Sequence, residues 1–156
     1  MNNKQDIKEI NKLINQSKDI LNLLKGAEKR IGSNANFKIT GLAGRNFLGD
    51  FIRNSKVSTI NSSIGRLQSK LLTLHKDLLL YDESLVKKID LPVKLEEFKS
   101  SRTVVSDIKL RVKMRSKELE VQKIQSKIKT LIKKLNKEKE KIYYNIKKET
   151  ELEKFK

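Results

Sequence analysis

The chain has 156 residues, 37% hydrophobic, 5% aromatic and 35% charged, with 36 Lys and Arg against 19 Asp and Glu for a formal charge of +17. That length suits one domain, and the apolar share can fill a Leu- and Ile-rich core, so disorder is not the expected state. The absence of Cys removes disulfide and thiolate chemistry, and one Pro with six Gly leaves long runs free of helix breakers.

The first predicted element is an amphipathic helix from about Gln5 to Ile31. Ile7, Ile10, Ile14, Leu21, Leu24 and Ile31 follow a 3-4 spacing, with Ser17 and Glu28 in the two remaining slots. Gly32-Ser33-Asn34 is the expected stop. Residues 32 to 55 then lose the period but stay apolar, with Phe37, Ile39, Leu42, Phe47, Leu48, Phe51 and Ile52 among four glycines. A loop this long and apolar is read as a connection packed on a bundle, with a short helix near Phe47 to Arg53. If exposed, it would be an interaction site.

The second main helix is expected over 56–81. Val57, Ile60, Ile64, Leu67, Leu71, Leu74, Leu78 and Tyr81 repeat 3-4 without a break, and Leu72, Leu79 and Leu80 lie outside that stripe. Residues 82–91 read as a loop, and Pro92 as the first turn of a last helix running to the C-terminus. Leu95, Phe98, Val105, Ile108, Val112 and Leu119 form one stripe of that helix. Val121, Ile124, Ile128, Leu131, Leu135 and Ile142 form a second, shifted by two residues, so a bend is expected near 119–121. At 1.5 Å per residue this helix would span about 95 Å against about 40 Å for each earlier one. The second stripe therefore reads as a seam open to a partner helix or a second copy.

Charge is uneven along the chain. Residues 109–156 carry 17 Lys or Arg and seven Glu. Lys127, Lys129, Lys133, Lys134, Lys137, Lys141, Lys147 and Lys148 form a candidate basic face for DNA, RNA or an anionic membrane surface. Lys far outnumbers Arg, and seven Arg are few for base and phosphate recognition. The same usage is what an A/T-rich coding sequence produces.

Catalytic signals are weak throughout. His75 is the single His and flanks a helix stripe; Asp77, two residues on, points elsewhere on a helix. No carboxylate cluster, oriented nucleophile or phosphate-binding Gly-Lys loop is visible, so neither a cofactor nor a small-molecule substrate is expected. Gly41-Leu42-Ala43-Gly44 followed by Arg45 has the outline of a GxxG backbone clamp, but nothing predicts the sheet that such a loop needs. There is no apolar run of transmembrane length and no apolar stretch behind the N-terminal Met, so a cytoplasmic protein is the simplest expectation, with leaderless export left open.

The expected architecture is therefore all-α. It is an elongated antiparallel bundle or coiled coil of three main helices within a single domain, 1–156, with a short extra helix in the first connection and a long C-terminal helix. The expected role is a non-enzymatic interaction module, such as an adaptor, assembly or secretion-type accessory protein, gripping a partner protein or itself through its seams. The alternative is a non-specific basic nucleic-acid-binding protein.

Overall fold

The computed structural model describes residues 3–35, 47–92, 94–95 and 106–153. It is an all-α bundle of four helices among these residues: α1 (Asn3–Ala35), α2 (Phe47–Tyr81), α3 (Glu83–Ile89) and α4 (Ser106–Glu153). No helix among the described residues is long and apolar enough to cross a membrane.

The 3-4 stripes become one continuous core. Ile10, Ile14, Leu24 and Ile31 of α1 meet Ile60, Ile64, Leu67, Leu71, Leu74 and Leu78 of α2, and Val121, Ile124, Ile128, Leu131 and Leu135 of α4, all buried. Burying a Leu or Ile side chain stabilises by about 1.5–3 kcal/mol, so these three stripes hold the fold. Polar contacts fix the direction of each helix. Gln16 and Lys12 of α1 reach Asp77 of α2 at 2.7 and 2.9 Å, and Arg30 donates to the Ser63 hydroxyl, so α1 and α2 run antiparallel. Gln122 and Gln125 of α4 donate to Glu28 of α1 at 2.7 and 2.5 Å. At the opposite end, burial and then the Glu138 and Asp6 carboxylates raise the Tyr81 phenol above its ordinary pKa, so the start of α1 and the later half of α4 both lie toward the end of α2. α4 is therefore antiparallel to α1 and parallel to α2.

Several boundaries depart from the periodic reading. α1 continues through Gly32, Ser33 and Asn34 to Ala35, and α2 begins at Phe47 as one unbroken helix of 35 residues rather than as a separate short helix. An internal Gly such as Gly49 costs a helix roughly 1 kcal/mol, which does not by itself end it. Phe37, Ile39 and Leu42 lie outside the described residues, as do the side chains of Phe47, Leu48, Phe51 and Ile52.

The connection expected to be a loop holds α3. Asp82 both ends α2 and caps α3, accepting from the Ser84 and Leu85 amides at 2.8 and 3.3 Å. Leu85 and Ile89 bury the inner face of α3 in the core. Asp90 closes it in the left-handed conformation, φ 50°, its amide bonded to the Val86 carbonyl at 2.9 Å. Asp is among the few side chains that enter this region at modest cost.

The last helix does not begin at Pro92. Leu91, Pro92, Lys94 and Leu95 are non-helical, with Leu91 and Leu95 buried and the Leu95 amide donating to Gln68. Residues 93 and 96–105, including Phe98 and Val105, lie outside the described residues. α4 itself runs helical for 48 residues, about 72 Å, through the expected bend at 119–121. The two-residue shift marks a change of surroundings. Val112 and Leu119 are exposed, whereas Val121 and the stripe that follows it are buried.

Candidate functional site

The seam assigned to a partner helix is occupied within the chain. Val121, Ile124, Ile128, Leu131 and Leu135 are between 0 and 3% exposed, and Ile142 packs half-buried against the same core. The length argument put the uncovered part of α4 in the wrong place. Antiparallel docking sets α1, about 50 Å long, against the middle of α4. The leftover segments are then the start of α4 and its last turn, and Tyr143, Tyr144 and Leu152 are exposed.

Two polar residues in the seams have partners that make them structural. Ser17 is fully buried and donates to the Leu13 carbonyl one turn back, at 2.7 Å. Gln125 is buried, and its amide is satisfied by Glu28. The Gln122 and Gln125 donors hold the Glu28 carboxyl below its ordinary pKa, and Gln16 with Lys12 does the same for Asp77. These two clusters set helix register. His75 is half-buried with its Nδ1 unpartnered. Among the described residues, no group of three His, Cys, Asp or Glu side chains could hold a metal ion.

What distinguishes α4 lies on its other side. Residues 121–137 contain Lys123, Lys127, Lys129, Lys133, Lys134 and Lys137 and not one Asp or Glu. Only Lys127 is engaged, with the Asp90 carboxylate at 3.1 Å, which ties α3 to α4. Lys123, Lys129, Lys133, Lys134 and Lys137 make no ion pair among the described residues. All are exposed except Lys134, which is half-buried. The remaining members of the expected basic face stand in a different setting. Residues 138–153 hold four Lys and five Glu. Lys141 pairs with Glu138 at 3.1 Å, Lys147 approaches Glu151 at 4.0 Å, and Lys139 lies over the Tyr143 ring, 5.8 Å from its centroid. From Val121 onward along α4, the charge with no acid in the same stretch therefore sits on 121–137, away from the core, and 138–153 is locally balanced. Sequence reasoning found Lys127 through Lys137 but missed Lys123. The acid-free run between Glu120 and Glu138 was the signal for it.

No protein-family model, curated protein or solved structure matches this chain.

Proposed function

We propose that the chain is a non-enzymatic helical binding module that holds an extended anionic partner along α4. One observation carries this reading: over residues 121–137 α4 spends its apolar face on the core and presents six lysines with no acid on the rest. Five like charges held on a rigid helix repel one another, and a polyanion relieves that repulsion while releasing its condensed counterions. The overall +17 charge adds long-range attraction for the same class of partner.

The test is titration of fluorescein-labelled heparin, a generic polyanion, at several salt concentrations. Lys123→Gln, Lys133→Gln and Lys137→Gln together replace exposed lysines that make no ion pair among the described residues and leave the core untouched. The triple variant is expected to flatten the salt dependence by about one unit of slope per lysine removed. The control, Lys147→Gln with Lys148→Gln in the balanced segment, is expected to change little. Equal weakening by both variants would sink the assignment to 121–137.

A second reading, self-association or a protein partner, rests on α2. Leu72 and Leu79, seven residues apart, are 47% and 45% exposed, and Leu80 is 79% exposed. Sedimentation equilibrium tests it. A dimer that Leu72→Gln with Leu79→Gln converts to monomer supports it, and a monomer at high concentration removes it.

A further inference from the structure

The distribution of the lysines around α4 narrows the class of anion. Successive residues of a helix are about 100° apart, so Ser126, Lys133 and Lys137, with Thr130 close by, lie along the crest opposite the buried Ile124, Ile128 and Leu135. Lys129 lies toward one flank of that crest, and Lys123 and Lys134 toward the other. The crest is low over Ser126 and Thr130 and carries Lys133 and Lys137 beyond them. The Thr130 hydroxyl is folded back onto the Ser126 carbonyl at 3.0 Å, and Ser126 is itself small. We infer that the partner is a nucleic-acid duplex whose groove receives this crest, with the flanking lysines reaching the two phosphate ridges. This inference rests on the polyanion reading above.

Three observations favour a duplex over the other anionic partners. A helix of about 10–12 Å diameter fits a major groove about 12 Å wide, and a groove offers anionic walls on both sides of the crest. A single strand would be gripped by stacking, yet residues 121–137 contain no aromatic. An anionic bilayer is bound by helices that combine lysines with a free apolar face, and the apolar face of this span is inside the core. The recognition is of phosphates and not of bases. The span has no Arg, Gln122 is committed to Glu28, and Asn136 is the one exposed amide left that could reach a base edge. Sequence-independent binding follows.

The magnitude can be stated in advance. Five unpaired lysines give a slope of log K against log salt of about −4.5, a weakening of about 500-fold between 50 and 200 mM. Fluorescence anisotropy of the full chain is measured with a random-sequence 20-bp duplex, the matching single strand, heparin and phosphatidylserine vesicles. The expected result is that slope on duplex, with single strand bound at least about tenfold more weakly. The triple Lys→Gln variant, with its helical circular dichroism unchanged, should lose about 2.7 units of slope. Equal or tighter binding of the single strand, or preference for vesicles, would overturn the duplex inference. Tight heparin binding without duplex preference would overturn it too, yet leave the polyanion reading standing. No binding to any of the four would remove both.

Discussion

Leu131→Ala probes whether the α4 seam is closed within the chain. Leu131 is fully buried among α1 and α4 core residues. Truncating such a Leu removes its transfer free energy and leaves a cavity, at a cost of about 2–5 kcal/mol. Taking about 3 kcal/mol, the melting temperature of a chain of this size should fall by about 6–12 °C. Leu152→Ala is the matched control, because Leu152 is 58% exposed on the overhanging end of α4. Its effect should stay within about 0.5 kcal/mol. The assay is thermal unfolding followed at 222 nm, repeated over a hundredfold range of protein concentration. An intramolecular seam predicts the same drop at every concentration. A melting temperature that rises with concentration, or a Leu131→Ala cost no larger than that of Leu152→Ala, would refute the closed seam.

Other consequences are equally direct. Glu28→Ala removes the acceptor for Gln122 and buried Gln125, and an unsatisfied buried amide costs about 1–3 kcal/mol, readable as a shift in urea midpoint. Glu28, Asp77 and Asp82 are all held below their ordinary pKa by hydrogen bonds: Glu28 by Gln122 and Gln125, Asp77 by Gln16 and Lys12, and Asp82 by Ser84. A depressed folded-state pKa means the stabilisation is complete above the ordinary carboxylate values of 4.5 and 3.8 and is lost as pH falls through the folded values. Stability measured from pH 7 down to pH 2 should therefore be flat above about pH 5 and decline below it. Glu28→Gln should blunt that decline. Gly26 and Gly65 lie inside α1 and α2 with nothing within 4 Å of an added Cβ. Each Gly→Ala change should stabilise by about 0.5–1 kcal/mol, raising the melting temperature.

Much of the fold was legible because heptad burial leaves a periodic trace. The α2 stripe from Ile60 to Leu78 is buried at every position, and the two irregular α1 slots, Ser17 and Glu28, turned out to be the polar positions of that helix's inner face. What was not legible depended on tertiary pairing. α3 is seven residues long, too short for its Leu85 and Ile89 to stand out from a loop, and Asp82 was read as a terminator when it is also a cap. The glycine signal placed the end of α1 at Gly32–Asn34, whereas the helix runs on to Ala35. The Val121–Leu135 stripe gave no sign of whether its partner was in the same chain, because the period of a seam does not encode which segment of a long helix is covered. The lysine face was legible as composition, but separating free lysines from paired ones such as Lys127 and Lys141 required the positions of Asp90 and Glu138.

The central claim is that α4 turns one face inward and offers the other, between residues 121 and 137, to an anion. Lysine-reactivity footprinting tests it most directly. The chain is acetylated with and without heparin, and each modified lysine is quantified by mass spectrometry. The account predicts that heparin protects Lys123, Lys129, Lys133 and Lys137 most strongly, while Lys18 and Lys70, exposed on α1 and α2, keep their reactivity. Uniform protection across the surface, or protection centred on Lys147 and Lys148, would contradict it.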